Sequence, residues 1–149
     1  MKINTKFHEE IDVQKEEILH FKKGIPGFPD EKEFVILPLS NDGTFSVMQS
    51  VSTERLAFII ADPFAFFQEY DFQLEEHAVK TLLLLSEKDV KIFVILTINE
   101  PFEKTTANLQ APIVINTATK EAQQVILNDP AYTTKHSIFS KPQPVTVKE

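Results

Sequence analysis

The chain has 149 residues, a formal net charge of −7, and 42% hydrophobic against 25% charged residues. These proportions fit one folded domain, so disorder is not the default reading. The acidic balance disfavours phosphate backbones and anionic bilayers, and the absence of cysteine removes disulfides, thiolate catalysis and cysteine-held metals.

Residues 1–6 lack the apolar core of a signal peptide. The longest apolar runs, 82–85 and 92–96, are far too short to cross a bilayer as a helix, so a cytoplasmic protein is expected. Along 2–8, Ile3, Thr5 and Phe7 alternate with polar residues, which predicts a half-buried strand. Ile11 and Val13 predict a short second strand and residues 18–21 a third. The acids between them (Glu9, Glu10, Asp12, Glu16, Glu17) read as a solvated face.

Gly24-Ile25-Pro26-Gly27-Phe28-Pro29 then fixes a bend, because glycine permits positive φ and proline holds φ near about −65°. Its apolar residues, Ile25 and Phe28, either plug one end of the core or face a partner. The plug is the simpler reading.

Residues 34–39 and 44–51 predict two strands around Ser40-Asn41-Asp42-Gly43, where Asp-Gly is a hairpin signal. Pro38 indicates an edge position or a bulge. A further strand over 56–61 stops at Asp62-Pro63. From 56 to 79 the chain carries Asp62, Glu69, Asp71, Glu75 and Glu76 with no Lys or Arg, interleaved with Phe58, Phe64, Phe66, Phe67, Tyr70 and Phe72. Such a stretch is either a core edge with a solvated rim or a recognition surface for basic partners.

Leu74, Ala78, Leu82 and Leu85 follow helical spacing, and Glu75 and Glu76 suit a first helical turn, which predicts a helix over 74–85. Residues 91–99 read as a β-branched central strand ended by Pro101. Residues 109–116 and 123–127 predict a hairpin around a polar middle, although 118–127 also fits a helical face. The expected fold is mainly β: a small antiparallel β-barrel-like domain with one or two accessory helices. It occupies residues 1–140, with 141–149 as a polar, loosely ordered tail.

Catalytic and ligand motifs are scarce. His8, His20, His77 and His136 show no metal-site spacing, and three glycines cannot supply a phosphate cradle. Arg55 is the only arginine, which disfavours an arginine-clamped anionic substrate. No enzyme, metal or cofactor is expected. Two rival readings are a small-ligand-binding β-barrel, needing a hollow interior, and a carboxylate-pair hydrolase, needing two acids in one cleft.

One ordered set of segments is distinctive: Gly24-Ile25-Pro26-Gly27-Phe28, Met48-Gln49-Ser50, Asp62-Pro63, Asn108-Leu109-Gln110-Ala111-Pro112-Ile113-Val114-Ile115-Asn116 and Gln124-Val125-Ile126-Leu127. Together they resemble the FliW family of bacterial flagellar assembly factors, over roughly residues 5–136. Pro29 departs from the acidic residue expected there, with Asp30 and Glu31 following one place later.

The resemblance implies a barrel-like fold without catalysis and two protein partners bound in turn. These are flagellin and the RNA-binding translational repressor CsrA. Flagellin holds the protein while abundant; after export, the free protein binds CsrA and releases flagellin mRNA for translation. No direct nucleic-acid or membrane contact is implied. Asp62, Glu69, Asp71, Glu75 and Glu76 are the candidate acidic surface toward CsrA. Ile25, Phe28 and Tyr70 are candidate linings for an amphipathic flagellin terminus.

Overall fold

Short apolar runs broken by polar turns wind the chain into eleven strands and one α-helix among residues 1–139, the part the computed structural model describes. The tail expected over 141–149 lies outside the described residues. Strand β1 (Lys2–Ile3) pairs antiparallel with β2 (Ile11–Asp12). The strand expected across 2–8 thus ends early. Its alternation is overridden at Thr5, whose hydroxyl accepts the His8 N–H at 2.9 Å and also donates to the His8 carbonyl. Side-chain capture of backbone groups competes with a ladder in this way.

The remaining strands are β3 (Leu19–His20), β4 (Glu33–Pro38), β5 (Phe45–Ser50), β6 (Ala57–Ala61), β7 (Val90–Thr97), β8 (Thr106–Ala107), β9 (Ile113–Asn116), β10 (Ala122–Gln124) and β11 (His136–Ser137), with helix α1 (Glu76–Thr81) before β7. The main sheet runs β10-β9-β7-β6-β5-β4-β3, each neighbour antiparallel, and β8 joins β7 to β11. Its two ends meet. His20 makes a parallel bridge to Glu121, and the His20 N–H donates to the Lys120 carbonyl at 2.8 Å. The sheet therefore curls into the barrel-like form expected from sequence.

Strand periodicity sends successive side chains to opposite faces. Phe34, Ile60, Ile113 and Ile115 enter one cluster with Phe21 and Met48. Ala61 and Val114 face a second cluster with Tyr70, Ala78, Leu82, Val125 and Leu127, under the helix and the segment before it. A smaller cluster of Ile3, Val13, Ile18 and Val35 seals the N-terminal strands. Fully buried Phe21, Phe34, Met48, Ile60 and Ile113 fill the interior; this packing provides no hollow of the kind a ligand-carrying barrel requires.

The β4–β5 hairpin forms as expected, with Gly43 at φ +79°. Asp42 shapes the turn by accepting from the Thr44 N–H at 2.9 Å and the Ser40 hydroxyl at 2.8 Å. These bonds hold its carboxyl below the ordinary value, Thr44 contributing most. Pro38 pairs with Ser46 on one side, while β3 reaches only Phe34 and Glu33 on the other, so the edge position is realised.

Residues 113–124 settle as the β9–β10 hairpin rather than a helix. Asn116 Oδ1 accepts from the Ala118 and Thr119 N–H groups, and Lys120 takes φ +67°. β9 begins later than the 109–116 expected. Asn108 Oδ1 accepts from the Gln110 and Ala111 N–H groups and turns the chain before the ladder starts.

The helix is also shorter than the spacing suggested, ending at Thr81 instead of 85. Leu83 adopts φ +55°, the Leu83 N–H donates to Lys80 O at 3.2 Å, and the Leu84 N–H donates to Val79 O at 3.0 Å. This is a Schellman terminus built on leucine where glycine is usual. Pattern alone could not place it.

Candidate functional site

Around Gly24 the chain folds back on itself. Ile25 and Phe28 exchange backbone bonds, Ile25 N–H to Phe28 O at 3.2 Å and Phe28 N–H to Ile25 O at 2.7 Å. Gly24 sits at φ +70°, and a Cβ there would lie 2.5 Å from the Pro29 carbonyl oxygen, so no side chain fits. Ile25, 2% exposed, plugs the barrel cluster of Phe21 and Phe34 and offers no face to a partner. Phe28 remains 42% exposed, with its ring edge-on to Phe58 at 6.0 Å.

The acidic aromatic segment starts where Asp62 ends β6. Its carboxylate accepts the Phe64 N–H at 2.9 Å, capping a single 3-10 turn opened by Pro63, and lies 3.6 Å from Lys91 Nζ. Tyr70 is 5% exposed and donates to the Leu109 carbonyl at 2.7 Å. Burial, and then neighbouring Tyr132, pushes its phenol above the ordinary value, so it stays a neutral donor. Tyr132 packs against it at 4.8 Å, and the Tyr132 hydroxyl accepts from Asp71 N–H and donates to Asp71 O. Two tyrosines thereby pin an otherwise irregular segment to the barrel.

That pinning displays the acids. Glu69, Asp71, Glu75 and Glu76 are exposed while Asp62 is half-buried. Glu76 pairs with Lys80 at 3.2 Å and Asp62 with Lys91, leaving Glu69, Asp71 and Glu75 without an ion-pair partner among the described residues.

Residues 71–75 form a ridge between two grooves. One, of about 570 Å³, is walled by Phe64, Phe72, Leu74, Val79, Val90 and Ile92, with Asp71 beside Tyr70 at its rim. The other, of about 390 Å³, runs between Leu74, Glu75 and Ala78 on one side and Gln124, Ile126 and Asp129 on the other. Asp71 thus borders the larger groove beside Tyr70, and Glu75 borders the smaller one. Ile25 and Phe28 line neither groove.

Sequence reasoning did not single out Phe64, Leu74, Val79, Val90, Ile92 or Ile126 as site residues. A usable signal existed for Ile126, which is 56% exposed between buried Val125 and Leu127. Phe64 belonged to the aromatic stretch read as core edge or recognition surface, and only the fold shows that it and the others wall a groove.

The fold and this surface define a small antiparallel β protein with two open grooves flanking an acidic segment. A model of the family described as FliW protein matches residues 2–138. The chain is 54% identical over 138 residues to the flagellar assembly factor FliW of Bacillus licheniformis, covering 93% of this chain and 96% of that one. It is 51% identical over 138 residues to the Bacillus subtilis protein of the same description, with the same coverage. A crystal structure of the flagellar assembly factor FliW superposes at a TM-score of 0.90 with 44% identity, covering 95% of this chain and 99% of that one.

The chain belongs to the FliW family, a non-enzymatic family of flagellar assembly factors. The carboxylate-pair hydrolase reading is thereby removed. Among the described residues, no helix is long and apolar enough to cross a membrane.

Proposed function

We propose that this protein is a cytoplasmic partner switch. It binds flagellin while flagellin is abundant. When free, it binds the RNA-binding translational repressor CsrA and relieves repression of flagellin translation. Family membership and the description borne by its relatives support the flagellar assignment.

The observation that carries the reading is the juxtaposition of an apolar groove with unpaired acids. The walls of Phe72, Leu74, Val79 and Ile92 suit the apolar face of an amphipathic helix, the chemistry of a flagellin terminus that orders on binding. Glu69, Asp71 and Glu75 beside it supply a field complementary to a basic protein such as an RNA-binding repressor. Docked near the RNA site of CsrA, that field raises the negative potential RNA meets, so the site need not be covered to be weakened.

The test is titration of the purified protein with flagellin and with CsrA separately, then in competition. Binding to each alone, with flagellin displacing CsrA, is expected. A protein that binds neither, or both without mutual effect, overturns the switch.

A further inference from the structure

The smaller groove has a wall that side chains alone do not explain. β10 pairs with β9 so that Gln123 faces Val114, and the same register continues past the strand, with the Val125 N–H donating to Pro112 O at 3.0 Å and the Leu127 N–H to Gln110 O at 2.7 Å. In an antiparallel ladder, hydrogen-bonded and non-bonded pairs alternate. Residues 123, 125 and 127 therefore direct their backbone N–H groups to the β9 side. Gln124 and Ile126 turn theirs outward, and neither has a backbone bond on that side among the described residues.

At the β10 start the sheet edge is closed by the bridge from Glu121 to His20. From Gln124 onward it is open and faces the groove. Ile126 stands 56% exposed beside it. The groove lining includes Glu75 and Asp129 but no Lys or Arg. An unpaired edge bordering a groove of mixed apolar and polar lining matches strand addition, where the peptide backbone supplies affinity and alternate side chains supply selectivity.

We infer that the edge at Gln124 and Ile126 receives an extended, cationic segment of a partner protein as an added β-strand. Its apolar side chains share the face of Leu74, Val125 and Leu127, its basic side chains share the opposite face with Ile126, and Glu75 and Asp129 supply the negative field they meet. The inference rests on the interaction-protein reading above and deepens it, naming how part of a partner is held.

The test separates the edge from the identity of the partner. The probe is a synthetic peptide, acetyl-Lys-Val-Lys-Val-Thr-Val-Lys-amide, with an analogue carrying Glu for each Lys. Amide exchange by NMR reads the full-length protein at Gln124 and Ile126. Saturable protection of these two amides by the cationic peptide is expected, with the acidic analogue weaker by about tenfold or more.

Ile126→Pro removes an outward donor while sparing the bonds of Val125 and Leu127 to the β9 side. It should abolish protection at Gln124 with an unchanged melting temperature. Ile126→Lys keeps the backbone donor and adds a like charge, and should weaken the cationic peptide alone. Protection elsewhere, equal binding of both peptides, or no binding overturns the inference. So does a wild-type dimer in sedimentation that Ile126→Pro dissolves, because the occupant is then a second copy. Peptide binding without any binding of flagellin or CsrA overturns the switch and leaves the edge standing.

Discussion

Asn116 and Leu82 lie 34 residues apart, yet the Asn116 side-chain amide donates to the Leu82 carbonyl at 2.8 Å. The same amide reaches Leu83 O at 3.3 Å, and its oxygen accepts the N–H groups of Ala118 and Thr119. One buried residue therefore caps the helix C-terminus and shapes the β9–β10 turn. Asn116→Ala leaves these groups unpaired at a site 2% exposed. The expected loss is about 1–3 kcal/mol, read as a lower urea midpoint with an unchanged slope. A loss below about 0.5 kcal/mol would show that water replaces the cap.

Leu83 holds its left-handed backbone while 59% exposed, so its side chain contributes little packing in return. Leu83→Gly relieves a strain of about 1–2 kcal/mol and adds unfolded-state entropy worth about 0.5–1 kcal/mol. The net expectation is stabilisation of up to about 1 kcal/mol by chemical denaturation, with Leu83→Ala near neutral. Destabilisation by glycine would falsify this account of the helix end.

His136 and Glu31 shape the acid limb of stability, together with the turn carboxylate of Asp42. Burial holds the His136 pKa below its ordinary 6.5, and its Nε2 accepts the Thr133 N–H at 2.9 Å. The unfolded chain takes up that proton first. The His136 contribution is complete above 6.5 and is lost as pH falls from there to the folded value. Glu31 is held below 4.5 chiefly by the Ser50 hydroxyl, then by Thr53, so its contribution is present above 4.5 and is lost as pH falls through the folded value. Urea midpoints followed between about pH 3 and 8 should show both steps. His136→Gln should erase the upper step, and Glu31→Gln should shrink the lower one to the share of Asp42.

The unpaired acids of the ridge make a separable prediction. The triple variant Glu69→Gln, Asp71→Asn, Glu75→Gln should weaken CsrA binding and flatten its dependence on salt, because fewer charges remain to be screened. Calorimetry at low and high ionic strength reads both effects. Asp62 is better left intact, since its carboxylate also caps the turn at Phe64. Unchanged affinity across the salt series would remove the acidic field from the mechanism.

Much of the fold was legible in the sequence, and for physical reasons. The continuous β-branched run Ile113-Val114-Ile115, buried on both faces, and the Asp42-Gly43 step report a strand and a turn directly. What escaped depends on side chains that override local pattern. Thr5 breaks a strand that alternation favours, and Leu83 ends a helix that its spacing would extend. The candidate site divides along the same line. Charge at Glu69, Asp71 and Glu75 could be read from composition, but Tyr70 resembled a surface anchor and proved to be a buried strut. Ile25 belongs to the core, as the plug reading of the bend held, whereas Phe28 beside it stays 42% exposed.

The seam between His20 and Glu121 has a consequence for biosynthesis. Its partners stand at positions 20 and 121, so the contact that joins the sheet ends is among the least local in the molecule. A ribosome adds residues at about 5–20 per second, so β3 waits several seconds before its partner exists. Throughout that interval β3 can meet β4 but cannot join the two ends of the sheet. The two ends of the sheet can close into a ring only after Lys120 and Glu121 have emerged.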